Sequence, residues 1–143
     1  MKADTDFTPC PVADGDELYA NGIFVFNITK LVEPVRSNPE SFPLEEVATD
    51  YFFKEHSSIK ESHVDSVDIS KPVILAEISP GIFNLIDGNH RMEKARRMGI
   101  GRIRAYKLSS AQHVRFLTSH EAYTSYVEYV NSKMREAAEQ LRT

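Results

Sequence analysis

The chain has 143 residues and a mass of 16.2 kDa, with 41% apolar residues and no long charged or low-complexity tract, which suits one domain with an ordinary core and excludes a fibrous or disordered chain. A single cysteine, Cys10, excludes an internal disulfide, and the opening residues lack the basic and apolar regions of a signal peptide, so a soluble, cytoplasmic protein with no membrane span is expected. The net charge of −4 is unevenly spread: residues 1–70 carry five Lys/Arg against fourteen Asp/Glu, whereas residues 86–107 carry seven against two, which suits a small anionic ligand better than duplex DNA, whose binders are more often basic overall.

Residues 1–20, rich in Asp with Pro9, Pro11 and Gly15, read as a loosely held lead-in. Asn21-Gly22 is a turn signal, and the β-branched and aromatic run from Ile23 to Ile28 predicts a first strand. Pro34, Pro39 and Pro43 punctuate the segment after it. Leu44, Val47, Ala48, Tyr51 and Phe52 recur at helical spacing, predicting a helix of roughly three turns with Pro43 near its start and Glu45 and Glu46 in its first turn. His56 to Ser70 is polar and mostly without period, a connection with room for a short strand. Pro72, whose missing N–H is harmless at a strand start, opens a strand from Val73 to Ile78, and Ser79-Pro80-Gly81 turns it into a hairpin with Ile82 to Ile86. A helix of roughly ten residues then stops at Gly99. Arg102 to Leu108 alternates as a strand, with Ile103 and Ala105 on one face and Arg102, Arg104 and Tyr106 on the other.

From Ser109 onward the chain reads as helix, in two pieces broken near Thr118 to His120. In the second piece Tyr123, Tyr126, Val127, Val130, Met134, Ala137 and Leu141 form a continuous stripe, which must be buried either on the sheet or in a homodimer seam. The fold class expected is α/β in the mixed α+β sense: a core domain over 21–108 built on a mixed sheet, with a long helical extension over 109–143 packed on it.

The chemistry concentrates between Phe83 and Gly99. An apolar run is broken by Asp87-Gly88-Asn89-His90-Arg91 and continued as helix, so a strand delivers Asp87, Gly88 permits a tight turn, and the first helical turn presents unpaired N–H groups. With Arg91 and a protonated His90 beside such an end, phosphate is the natural ligand.

These residues, with Ala95 and Gly99 after them, resemble the ParB/sulfiredoxin-like superfamily, whose members carry a turn of this form ahead of a helix. The resemblance extends from Ile23 to Leu108 and includes Lys71-Pro72-Val73; locally the free serine kinases look closest. It implies a small α/β domain that binds nucleotide phosphates at the turn, with ATP, ADP or CTP and Mg²⁺ as cofactors, and Lys71, Gly88, Asn89, His90, Arg91 and Arg104 as binding residues. Asn89 stands where sulfiredoxins have their catalytic cysteine, so their chemistry is not expected. With 35 residues after Leu108, the DNA-reading and dimerisation parts of a chromosome-partitioning ParB protein are not expected either. By position Glu45 is similar to the catalytic Glu of the serine kinases.

Each candidate has a plainer reading beside it. Asp87 either caps the helix, orients His90 or holds nucleotide-borne Mg²⁺. Arg91 either pairs with phosphate or with an internal carboxylate such as Glu93 or Glu77. His90 either donates to a phosphoryl oxygen or sits as a satisfied core histidine. His56, His63, His113 and His120 lack metal-ligand spacing and read as surface residues. Glu45 either serves the helix dipole or is the general base of a phosphoryl transfer in which Asp87, His90 and Arg91 manage the charge. Arg102 and Arg104 either extend the anion site or face water, and Arg96 and Arg97 read as a solvated helix face. The functional expectation is nucleotide binding with NTP hydrolysis or phosphoryl transfer to an unknown acceptor. The alternatives are a DNA-binding or nuclease module of ParB-like type and a noncatalytic immunity or regulatory protein that binds a protein partner.

Overall fold

The computed structural model describes residues 1–50 and 60–142, and among these six strands in two sheets and five α-helices form a mixed α/β fold. Strands β1 (Leu18–Asn21) and β2 (Phe24–Asn27) make an antiparallel hairpin whose turn places Gly22 at φ +63°. The second agrees with the strand expected after Asn21-Gly22. The first lies at the end of the stretch read as a lead-in, and that stretch is anchored: Phe7 stacks on Tyr123 with ring centroids 4.0 Å apart, and the Cys10 amide donates to Leu117 O at 2.9 Å. Its Asp and Pro content signals irregular backbone, not detachment.

Helix α1 (Ile28–Ser37) is masked in the sequence by Pro34. Asn27, itself fully buried, caps it by accepting from the Lys30 amide at 3.1 Å, while its side-chain Nδ2 donates to Pro11 O at 3.0 Å and Asp16 Oδ2 at 2.8 Å. Ile28, Leu31 and Val35 are buried on one face. Burial of three such side chains, about 1.5–3 kcal/mol each, outweighs the roughly 3 kcal/mol that an interior proline costs.

The largest correction concerns Leu44–Ala48, which is strand β3 and not a helix. It runs antiparallel to β6 (Arg102–Leu108), with Glu45 opposite Ala105 and Val47 opposite Ile103. Leu44, Val47 and Ala48 fit the helical period and not strand alternation, which would put Val47 on the opposite face from Leu44 and Ala48, but the hydrogen-bond ladder to β6 overrides the local pattern. Tyr51 and Phe52, on which the rest of the helical pattern rests, lie outside the described residues, as does His56. The connection expected before Lys71 contains a helix, α2 (Glu61–Ser66), clamped to α3 (Asn89–Arg97) by Lys94 Nζ, which donates to Asp65 O and Val67 O at 2.9 Å each, and by the two-pronged Arg97–Glu61 pair at 2.6 and 2.8 Å.

Strands β4 (Val73–Ser79) and β5 (Ile82–Asp87) form the expected hairpin, and the sheet order is β3-β6-β4-β5 with only the β4–β6 pair parallel. Strand β4 is buried on both faces. Val73 and Leu75 pack with Met92 and Ala95 of α3, whereas Ile74, Ala76 and Ile78 join Leu31 of α1 and Tyr126 of α5 (His120–Arg142). Such a position explains an unbroken apolar run instead of an alternating one.

Helix α4 (Ser110–His113) and a short 3₁₀ turn precede α5, so the break falls where expected. The stripe on α5 is buried only as far as Val130; Met134 is 49% and Leu141 89% exposed. At 1.5 Å per residue this helix runs roughly 35 Å, well beyond the roughly 23 Å of a seven-residue strand. His113, expected at the surface, is fully buried. No helix among the described residues is long and apolar enough to cross a membrane.

Candidate functional site

The turn between β5 and α3 is built around Gly88. It stands at the N-cap of α3 with φ +106°, and a Cβ placed there would lie 2.6 Å from Val73 Cγ1, so both the backbone and the neighbouring strand require glycine. The first bond of the helix is Met92 N–H to Gly88 O at 2.9 Å. With no side chain on the cap, the amides of Asn89, His90 and Arg91 have no acceptor among the described residues.

In front of these amides opens a cleft of about 780 Å³. Lys71, Asp87, Gly88, Asn89, His90 and Arg91, all expected at the site, line it. Glu45 and Arg104 do not. Glu45 sits on the edge strand, 57% exposed, with Lys107 Nζ 3.2 Å away, so the general-base role given to it by resemblance is corrected. Arg104 donates to Ser70 O at 2.6 Å and so fixes the segment that leads into Lys71.

Arg91 donates to Asp87 Oδ2 at 3.0 Å and to Pro72 O at 2.9 Å, which locks its guanidinium against both strands that flank it. The internal carboxylate is therefore Asp87, and Glu93 is taken by Arg96 and Arg97. Asp87 neither caps α3 nor touches His90; it holds Arg91 in place. His90 Nε2 accepts the Lys60 amide at 3.1 Å, which requires an unprotonated Nε2 and leaves the proton on Nδ1. Burial, then the neighbouring His63 with its ring centroid 5.3 Å away, pushes the His90 pKa down, the same direction as the acceptor role of Nε2, so both work against a protonated His90 at the turn.

The basic excess around the turn is spent elsewhere. Lys94 caps α2, Arg96 and Arg97 meet Glu93 and Glu61, Arg102 meets Glu46, and Lys107 meets Glu45. Besides Arg91, the cations of the cleft come from outside that segment: Arg36 at the end of α1, Lys60 before α2, and Lys71. Among the described residues neither Arg36 nor Lys71 has an ion pair or a side-chain hydrogen bond, and Arg36 is exposed. Sequence reasoning misses Arg36, Lys60, His63 and Glu17, all of which line the cleft. Only the recognition of α1 would have pointed to Arg36.

The arrangement can hold an anion by three helix-start amides, one fixed guanidinium and two cations without a close ion pair or side-chain hydrogen bond among the described residues, Lys71 having only the more distant charge of Asp68 beside it. No group of three or more His, Cys, Asp or Glu side chains that could hold a metal ion occurs among the described residues, and Asp87 is engaged by Arg91. Comparison of the chain with models of protein families, with curated proteins and with solved structures gave no match.

Proposed function

We propose that this protein binds a nucleotide, ATP, ADP or CTP, by its phosphates in the cleft ahead of α3, as the resemblance of Asp87-Gly88-Asn89-His90-Arg91 to the ParB/sulfiredoxin-like superfamily implies. The observation that carries the reading is the meeting, across one open cleft, of three uncommitted amides with Arg36 and Lys71, neither of which is held by a close ion pair or a side-chain hydrogen bond among the described residues. A buried scaffolding turn would pair those groups internally, because an unpaired polar group away from water costs about 1–3 kcal/mol. NTP hydrolysis or phosphoryl transfer is the reaction such a site favours, since it needs little beyond positioning and charge stabilisation. In it the amides and Lys71 hold the phosphates, Arg91 meets developing charge, and His90 donates from Nδ1. Any Mg²⁺ enters with the nucleotide.

Calorimetric titration with ATP, ADP and CTP in the presence of Mg²⁺ tests the proposal. Lys71→Ala and Arg36→Ala leave the turn and its contacts intact and should each weaken binding about tenfold, the loss of roughly one charge-assisted contact. Absence of heat with all three nucleotides, or unchanged affinity in both variants, would remove the assignment.

A further inference from the structure

A second hollow, of about 380 Å³, adjoins the first, and Arg36, Lys71 and Arg91, with Asp87 held by Arg91, line both. Its remaining walls are of a different character. Val32 and Val35 of α1 face it from one side and the Tyr106 ring of β6 from another. Phosphate oxygens gain nothing from aliphatic walls, so the larger cleft alone would serve an inorganic anion. An apolar recess that starts at the phosphate-binding cations fits the organic part of a phosphate ester.

Resting on the nucleotide reading above, we infer that the smaller hollow is the base subsite: the nucleobase lies against Val32, Val35 and Tyr106 while the phosphates lie on Arg36, Lys71 and Arg91. A space of this size has room for one planar ring system. The Tyr106 hydroxyl makes no hydrogen bond with the described residues and remains open to a polar edge of the base. Burial of a flat ring beside the cations also accounts for a cleft that gathers only a few positive charges, since part of the affinity comes from apolar area.

The test compares ligands with and without a base. The full-length wild type is titrated with ATP, CTP, inorganic tripolyphosphate and ribose 5-phosphate, and the titrations are repeated with Val32→Trp, which fills the hollow from a half-buried position. ATP or CTP affinity should fall at least tenfold in the variant, with tripolyphosphate affinity held within twofold. Tyr106→Leu, which removes the ring without filling the space, should weaken the same two nucleotides and spare tripolyphosphate, and it decides the matter if Val32→Trp proves unfolded by circular dichroism. Tripolyphosphate or ribose 5-phosphate binding as tightly as ATP, with no response to either substitution, overturns the base subsite alone. No binding of nucleotide or tripolyphosphate to the wild type overturns the nucleotide reading and this inference with it.

Discussion

Gly88 carries two demands that can be separated experimentally. Its φ of +106° lies where L side chains are strained, and its missing Cβ leaves room for Val73 of the adjacent strand. Gly99, which stops the same helix, has φ +73° but open space around it. Gly99→Ala therefore incurs only the left-handed backbone cost, about 1 kcal/mol. Gly88→Ala incurs that and a 2.6 Å contact with a buried side chain that cannot retreat, so a loss of about 2–4 kcal/mol is expected. Urea unfolding of both variants measures the difference. Equal losses would mean that Val73 yields and that glycine is required at the turn by backbone geometry alone. The same residue scale explains why the site chemistry differs from its sequence expectation: Asp87, His90 and Arg91 are where the motif places them, but Arg91 is already bound to Asp87 and Pro72, and the Lys60 amide fixes His90 as a neutral donor.

At the scale of elements, the stretch from Val73 to Leu108 is legible in the sequence because each segment is short, locally patterned and bounded by its own turn signal: Pro72, Ser79-Pro80-Gly81, Gly88 and Gly99. The illegible parts depend on partners distant in sequence. Strand β3 owes its state to a ladder with β6, more than fifty residues on, and α1 survives Pro34 because of the core beneath it. The cleft suffers most from this. About half of its wall is supplied by β1, α1 and α2 together with the residues that flank them, none of which the local pattern marks as an element, so the density of basic residues points to a segment that supplies only Arg91 among its cations. Helix α5 gives the converse case, a regular pattern with burial at only one end. Its buried residues end at Val130, and Asn131 holds the chain start through Met1 N and Met1 O at 2.6 and 2.8 Å. Removal of everything after Met134 should therefore lower the stability of the monomer by less than about 1 kcal/mol, the range for exposed positions. Chemical unfolding at two protein concentrations checks it. A larger loss that grows with concentration would assign the exposed stripe to a second copy of the chain.

For the molecule as a whole, the point where the layers meet is the Glu77 carbonyl. Strand β6 ends beside Ala76, so the next carbonyl of β4 has no ladder partner there; it accepts from His113 Nε2 at 2.7 Å and from Tyr126 Oη at 2.5 Å, while Ser110 Oγ lies 2.7 Å from the same phenol oxygen. One buried carbonyl thus ties the sheet, α4 and α5 together. A carbonyl only accepts, so His113 donates from Nε2, and its Nδ1 is left buried without a partner among the described residues. Burial lowers the His113 pKa to about 4 and raises that of Tyr126 to about 12. Linkage sets the sign: the unfolded imidazole takes a proton near pH 6.5 and the folded one does not until about 4, so the stability contribution is complete above 6.5 and is lost as the pH falls from there toward 4. The loss is about 1.4 kcal/mol per pH unit and about 3 kcal/mol over the whole window. Many carboxylates titrate near the lower end of that range, so the quantity to measure is the difference between the wild type and His113→Gln, whose amide can still donate to Glu77 O but does not titrate. Urea unfolding from pH 7.5 to 4.5 should give curves that are parallel above pH 6.5 and converge below it, the wild type losing its advantage. Curves parallel throughout would mean that water or an acidic group reaches Nδ1 and that the packing around Glu77 is looser than the network requires.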